Sequence, residues 1–207
     1  MLQKRVIPCL LLHKGGLYKT EKFKKPTYIG DPINAIKIFN EKEVDELIFL
    51  DIGASVENKE PNYRMIEDIA SECFMPLCYG GGVKTIEQMK NIYAIGVEKI
   101  SISSQAVINP SLLIEASNMF GNQSVVVTID IKKDFWGEKK VFINSGKKNT
   151  KLNPMDFIKQ IETLGAGEIV INSVDNDGVM RGYDVKLLRD IKAITKIPII
   201  ALGGAGG

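Results

Sequence analysis

The segment DELIFLD (residues 45–51) is followed by PLCYGGG (residues 76–82), and this pair of segments recurs later in the chain. The second copy is GEIVIN (residues 167–172), followed by PIIALGG (residues 198–204). Each copy contains an apolar run, a stretch with helical periodicity, a second apolar run and a glycine turn. Strands that are apolar on both faces are typical of a parallel sheet covered by helices. The repeat therefore predicts an α/β protein with two similar halves.

Similar apolar runs occur along the whole chain and alternate with helix-like segments. The predicted strands are residues 6–12, 46–51, 76–79, 99–103, 125–130, 168–172 and 198–202. The predicted helix starts are Asp31-Pro32, Asn109-Pro110, Asn153-Pro154 and a capping box from Thr85 to Gln88, and the predicted helix ends are Gly96, Gly121 and Gly165.

Repeated βα units of about 30 residues favour a TIM (β/α)8 barrel. We expect a single domain over residues 1–207, with half-barrels at about 1–121 and 122–207. The chain stops after the seventh predicted strand, so the eighth βα unit is expected to be missing and the sequence to be C-terminally truncated. An open doubly wound sheet is the alternative architecture.

Composition excludes several classes of protein. The chain is 44% hydrophobic and 25% charged, with a net charge of +2. This balance does not favour binding to nucleic acid or to a membrane surface. The three cysteines Cys9, Cys73 and Cys78 lie in apolar contexts and are interpreted as reduced thiols of a cytoplasmic protein. Because His13 is the only histidine, a His-rich metal site and a Ser-His-Asp triad are not expected. We predict no metal and no cofactor.

Both glycine turns follow predicted strands, where backbone N–H groups could approach an anion closely. The residues concerned are Gly81 and Gly82 in the first turn and Gly203 and Gly204 in the second. Glycine also occurs wherever a chain must simply bend. Two turns at equivalent positions of a repeat favour two phosphate sites, which would suit an elongated bisphosphorylated ligand.

Carboxylates cluster at the ends of the predicted strands, where TIM barrels place catalysis. They are Asp51, Asp130, Asp175 and Asp177. Asp130 is the first candidate for a general acid or base. In a barrel of two similar halves the opposite strand end is Leu11, so only half of a carboxylate pair is present. The alternatives are that Asp177-Gly178 forms only a turn and that Asp51 caps a loop.

Two further sets of residues are candidates. Lys19 lies in a long glycine-containing connection and could reach a phosphate from a lid, or be an ordinary surface lysine. His13 could replace a missing acid/base group, although a lone loop histidine is usually solvated. The starts of four predicted strands carry Arg5, Glu46, Lys99 and Glu168. These charges could form a salt-bridged ring that stabilises the barrel bottom, or a gate.

Several segments together resemble the cyclase subunit of imidazole glycerol phosphate synthase, and the resemblance runs over the whole length given. They are KRVIPC (4–9), GDP (30–32), DELIFLD (45–51), GGG (80–82), EKISI (98–102), VVVTID (125–130), GAGE (165–168) and DNDG (175–178).

This resemblance implies a TIM barrel that works with a glutaminase subunit docked at its N-terminal face. Ammonia passes a gate matched by Arg5, Glu46, Lys99 and Glu168, and travels up the barrel. At the barrel mouth, a two-aspartate site would use this ammonia to split and cyclise a bisphosphorylated formimino-ribonucleotide. The substrate-binding positions that the resemblance implies are Lys19, Asp51, Gly81, Gly82, Ser103, Ser104, Asn172, Asp177, Gly178, Gly203 and Gly204.

The chain departs from the family pattern at the catalytic pair. Asp130 matches one of two catalytic aspartates, and Leu11 stands where the other is expected. Ser103, Asn172 and Leu202 replace the usual Asn, Thr and Ser. A leucine cannot exchange a proton, so ordinary cyclase activity should be severely weakened.

The segments LLL (10–12) and FW (135–136) are similar to paralogues from surface-polysaccharide clusters. Such a protein would relay ammonia, with a sugar amidotransferase as a further partner in amidino-sugar synthesis. Three hypotheses remain open: a lyase with cyclase-type chemistry, a non-cyclising ammonia conduit that activates a glutaminase, and a barrel isomerase.

Overall fold

The computed structural model describes residues 4–54, 57 and 59–206. These residues form two compact units. The first holds residues 4–19 and the described part of 27–101, and the second holds residues 20–26 and 102–206. Each unit combines parallel strands with helices, which confirms the α/β class.

In the first unit, strands and helices alternate along the chain. Its elements are β1 (Cys9–His13), β2 (Gly16–Glu21), β3 (Lys24–Gly30), α1 (Pro32–Glu41), β4 (Leu47–Asp51), α2 (Tyr63–Glu72), β5 (Leu77–Gly80), α3 (Ile86–Ile95) and β6 (Lys99–Ile102), of which residues 20–26 and Ile102 belong to the second unit. Strands β1, β4, β5 and β6 pair in parallel in that order. Strand β2 lies antiparallel to β1. Parallel strands that pair in chain order are the pattern of a TIM barrel.

Local signals determine where these helices begin and end. The Asp31 carboxylate accepts a hydrogen bond from the Asn34 amide, and Pro32 occupies the first turn of α1. The predicted capping box of α3 is present, since Thr85 and Gln88 each bond the other's backbone N–H. Gly96 ends α3 with a φ of 110°. Left-handed backbone of this kind favours glycine, which explains why a glycine in the sequence marks the end of this helix.

The second unit repeats the same alternation and adds a hairpin. Its elements are α4 (Ser104–Ile108), α5 (Ser111–Phe120), β7 (Val125–Lys133), β8 (Lys139–Ile143), β9 (Lys148–Asn149), α6 (Pro154–Thr163), β10 (Glu168–Ser173), α7 (Val185–Lys192) and β11 (Ile199–Leu202). Strand β10 pairs in parallel with β7 on one side and β11 on the other. Strands β8 and β9 continue from β7 in antiparallel pairing. The parallel strands bury Val127, Ile129, Ile169 and Ile171, which form the core of this unit.

The predicted strands are all found, with ends displaced by a few residues. One helix start was predicted wrongly: Pro110, not Asn109, is the N-cap residue of α5, and it makes no side-chain capping bond. The Asn109 side chain instead accepts a hydrogen bond from the Ser111 hydroxyl.

The long connection between β1 and α1 was expected to be a loop and is instead the β2–β3 hairpin. Its two-residue turn consists of Lys22 and Phe23, whose φ angles are 51° and 62°. These angles match a type I′ turn, whose usual sequence is Asn-Gly. Lysine and phenylalanine carry no such signal.

No helix in the described ranges is long and apolar enough to cross a membrane. Within the same residues, no group of three or more His, Cys, Asp and Glu side chains is arranged to hold a metal ion.

Candidate functional site

Asp130 is the most unusual carboxylate in the second unit. It lies in β7 with only 7% of its surface exposed. The strand register places it directly beside Asn172 of β10, and the Asn172 Nδ2 donates to Asp130 Oδ1 at 3.1 Å. Burial raises the pKa of Asp130 to about 7; the Asn172 hydrogen bond lowers it, and the nearby Asp177 charge raises it again. A group with this pKa can take up and release a proton near neutral pH.

Asp177 lies in the connection after β10 and binds the tip of the β2–β3 hairpin. The Thr20 hydroxyl donates to Asp177 Oδ2 at 3.0 Å, and the Lys22 amide donates to the Asp177 carbonyl oxygen at 3.0 Å. Burial raises the pKa of Asp177, and hydrogen bonds from Thr20 and the Phe23 amide oppose this shift. Asp177 is therefore more than a turn residue. Thr20 was not a predicted site residue. The hairpin turn at Lys22 and Phe23 brings it to Asp177, and the sequence of that turn does not indicate a hairpin.

The remaining predicted residues of this unit have mainly local roles. Asp175 accepts a hydrogen bond from the Lys133 amide at 2.9 Å. Ser103 precedes α4, and Ser104 Oγ accepts one from the Asn144 amide at 3.0 Å. Gly178, with a φ of 69°, passes so close to Thr20 that a Cβ would lie 2.2 Å from the Thr20 carbonyl oxygen.

The two glycine turns have the same construction in the two units. At Gly81, a Cβ would lie 2.3 Å from the carbonyl oxygen of Asp51. At Gly203, a Cβ would lie 2.5 Å from the carbonyl oxygen of Ser173. In both units the glycine follows one strand and faces the last residue of the neighbouring parallel strand. Backbone crowding thus requires glycine at both positions, and the predicted phosphate role remains a prediction.

Asp51 organises the turn after β4. Its Oδ1 accepts hydrogen bonds from the Gly53 and Ala54 amides, each at 3.0 Å. Asp51 therefore caps a loop, which is the alternative to a catalytic role for this carboxylate. Gly82 lies beside the same turn, since a Cβ there would be 2.8 Å from the Ala54 Cβ.

Leu11 lies in β1 opposite Leu50 of β4 and Tyr18 of β2. It is half-buried and offers no proton-exchanging group. His13 packs edge-to-face against Tyr18, with the ring centroids 5.2 Å apart. Its Nδ1 is buried and has no hydrogen-bond partner in the described part of the chain. Lys19 is exposed on β2.

Three of the four predicted gate residues meet in the first unit. Glu46 is 3% exposed, and its Oε2 accepts from Arg5 Nη1 at 2.9 Å and from Lys99 Nζ at 2.8 Å. Glu46 Oε1 has no partner among the described residues. Glu168, the fourth, is buried at the start of β10 in the second unit. Removing one of the two cations would destabilise the folded protein, because the buried carboxylate charge would then be less well compensated.

Comparison with known proteins gives consistent results. Residues 5–207 match the sequence model of a family described as "Histidine biosynthesis protein". A Pseudomonas aeruginosa (strain PAO1) protein named "Putative imidazole glycerol phosphate synthase subunit hisF2" is 53% identical, over 100% of this chain and 82% of its own length. A Vibrio vulnificus (strain YJ016) protein named "Putative imidazole glycerol phosphate synthase subunit hisF3" is also 53% identical, over 100% of this chain and 80% of its own.

A third relative carries the plain name "Imidazole glycerol phosphate synthase subunit HisF" and comes from Natranaerobius thermophilus. It is 42% identical over 100% of this chain and 82% of its own length. Sequence identities of 42% and 53% over the whole chain are far higher than those of proteins that share only a fold. The chain therefore belongs to the histidine biosynthesis protein family, among the HisF-type subunits of imidazole glycerol phosphate synthase.

Proposed function

We propose that this protein is an ammonia-using subunit of the imidazole glycerol phosphate synthase type, with Asp130 as its acid/base group. Its substrate would be a bisphosphorylated formimino-ribonucleotide, and its ammonia would come from a partner glutaminase. The observation that carries this proposal is the buried carboxyl of Asp130 near the C-terminal end of a parallel strand, with a pKa of about 7. This is the kind of group that acid/base chemistry at a barrel rim requires.

The charged cluster of Arg5, Glu46 and Lys99 supports the ammonia-using part of the proposal. The family resemblance implies that these positions form the gate through which ammonia enters. A salt-bridged cluster gains little stability over apolar packing, so its presence favours a functional role. A glutaminase subunit would dock at the strand starts, where these three side chains lie.

A second candidate function is favoured by Leu11. Here the protein would not cyclise a nucleotide; it would activate a glutaminase and pass ammonia to another acceptor. The surface-polysaccharide setting, with a sugar amidotransferase making an amidino sugar, is the finer form of this candidate. Both candidates need the charged cluster, but only the first needs Asp130 as a proton-transfer group.

The deciding experiment supplies the purified protein with the formimino-ribonucleotide and ammonium chloride, without any glutaminase. Formation of imidazole glycerol phosphate would support the first candidate. The Asp130→Asn variant should then lose on the order of 10²-fold or more in turnover. Asp156→Asn is the matched control, because this exposed carboxylate lies in the first turn of α6 in the same unit.

The second stage adds the glutaminase subunit of an imidazole glycerol phosphate synthase and glutamine. If the nucleotide is not converted but glutamine hydrolysis rises when the barrel subunit is added, the second candidate is correct. If neither reaction responds, both proposals are wrong.

A further inference from the structure

The hairpin of strands β7 and β8 concentrates positive charge. Residues 131–151, which include this hairpin and β9, hold seven lysines and two acidic residues, whereas the whole chain has a net charge of only +2. In the antiparallel register Lys132 lies directly opposite Lys140, and Lys133 lies directly opposite Lys139. Like charges that face each other across two strands destabilise a sheet, so two such pairs in succession call for an explanation.

The two lysine pairs lie on opposite faces of the hairpin, because successive side chains of a strand alternate. Lys139 forms an ion pair with Asp184, the N-cap residue of α7, and the charge of Lys133 acts on the same carboxylate. The pair of Lys133 and Lys139 therefore has a structural explanation, since it ties the hairpin to the start of a helix.

The other pair, Lys132 and Lys140, lies on the face that carries Asp130, which precedes Lys132 by two residues in β7. Lys132 Nζ lies 5.3 Å from the centre of the Phe142 ring, and Phe142 is the cross-strand neighbour of Asp130. No carboxylate in the described ranges forms an ion pair with Lys132. The ring of Phe142 thus holds the ammonium group in place and leaves its charge uncompensated.

The acidic residues of the hairpin turn compensate this pair only in part. Lys140 Nζ lies 2.7 Å from Glu138 Oε2, but the Glu138 side chain is 67% exposed. The Asp134 carboxylate is engaged within the turn, where it accepts from the Trp136 and Glu138 amides at 2.9 and 3.0 Å. An exposed ion pair contributes little stability, so Glu138 can leave Lys140 at little cost.

The chemistry of the pair favours phosphate among small anions. Side chains directly opposite each other in antiparallel strands have Cβ atoms about 4.5–5.5 Å apart, so the two ammonium groups can converge on one ligand. Each lysine presents a compact charge with three rotatable N–H donors, which suits the tetrahedral oxygens of phosphate. The fork geometry that binds a planar carboxylate with two parallel hydrogen bonds belongs to arginine.

We propose that Lys132 and Lys140 form a binding site for the phosphate group of a small molecule, and that Glu138 competes with this phosphate for Lys140. The site is distinct from the two glycine turns, which follow β5 and β11. It goes beyond both candidate functions, because neither assigns an anion to this hairpin. Two residues of strand span about 7 Å, so the rest of the ligand can extend along β7 towards Asp130.

The test uses inorganic pyrophosphate and the ¹⁵N-labelled full chain, and it requires no turnover. Trp136 is the only tryptophan and lies in the hairpin turn, so its single indole N–H resonance reports on this site. Pyrophosphate, added at constant ionic strength, should shift this resonance and the hairpin amide resonances in a saturable way. The Gly81 and Gly203 amide resonances report separately on binding at the glycine turns.

Lys132→Gln and Lys140→Gln should each weaken pyrophosphate binding at the hairpin by about fivefold or more, because each removes one of the two charges. Glu138→Gln should strengthen it several-fold, because the competing carboxylate is lost. Lys148→Gln is the matched control, since it removes an exposed lysine from β9 of the same segment, and it should change the affinity by less than about twofold. Circular dichroism checks that each variant is folded.

Hairpin resonances that do not respond to pyrophosphate would overturn the proposal. An equal loss of affinity in Lys148→Gln would also overturn it, because the lysines would then act only as a diffuse positive surface. Phosphatidylglycerol vesicles test the other source of phosphate, since the exposed Phe135 and Trp136 side chains could enter a lipid surface. A response to vesicles without a response to pyrophosphate would identify a membrane contact and would refute the site.

Discussion

At the scale of single residues, Asp130 shows how strongly burial changes a side chain. An aspartate on the surface is ionised at neutral pH, whereas burial in β7 raises the pKa of Asp130 to about 7. The direct consequence is that the folded protein holds a proton which the unfolded chain would release. This property links the candidate chemistry to the stability of the fold.

The linkage gives a pH prediction with a definite sign. The pKa of Asp130 is raised in the folded state. The stabilisation that the protonated carboxyl gives to the fold is therefore fully present below pH 4 and is lost as pH rises towards 7. The free energy of unfolding should therefore fall across this window, by at most about 4 kcal/mol from this group. Asp130→Asn should be less sensitive to pH. Urea denaturation of both proteins at pH 5 and pH 8 measures the difference, and parallel pH dependences would contradict the burial of an ionisable Asp130.

Leu11 gives the second prediction at this scale. If the protein is a cyclase weakened only by the loss of one carboxylate, Leu11→Asp should increase ammonium-dependent nucleotide turnover by at least tenfold, because it restores a proton-exchanging group. Leu11→Asn is the matched control, since it has similar size and polarity but cannot act as an acid or base at neutral pH. Equal turnover in the two variants would mean that the ligand site has itself diverged.

At the scale of elements, the glycine turns after β5 and β11 hold each strand end against its neighbour. Gly81 and Gly96 allow this to be tested, because their φ angles are almost the same at 108° and 110°. A Cβ at Gly96 meets nothing within 4 Å, whereas one at Gly81 would lie 2.3 Å from the Asp51 carbonyl oxygen. The two sites therefore share a backbone φ angle and differ in this close contact.

Gly96→Ala should cost about 1–2 kcal/mol of unfolding free energy, the penalty of the left-handed backbone. Gly81→Ala should cost at least about 2 kcal/mol more, because the strand end must also move away from Asp51. Thermal or urea denaturation measures both variants under the same conditions. Equal losses would show that the turn after β5 relaxes freely and does not fix the Asp51 loop.

At the scale of the whole molecule, the proposed function distinguishes ammonia delivered by the glutaminase from ammonium added to the solution. Lys99→Met removes one cation from Glu46, which then retains Arg5. If the cluster handles ammonia from the glutaminase, glutamine-dependent turnover should fall several-fold while turnover with added ammonium stays within about twofold of wild type. Lys90→Met is the control, because its ion pair with Glu87 is exposed on α3. A parallel loss of both activities would indicate general damage and would not support a gate.

The amino-acid sequence by itself determined the alternation of strands and helices, because apolar periodicity and caps such as Thr85–Gln88 are local signals. It also pointed to Asp130, since a carboxylate that ends an apolar strand is visible in the sequence. Only the tertiary structure decided that Asn172 bonds Asp130 and that Thr20 bonds Asp177, across 42 and 157 residues of chain. The same holds for the pKa of Asp130, since desolvation and neighbouring charges depend on packing between distant segments.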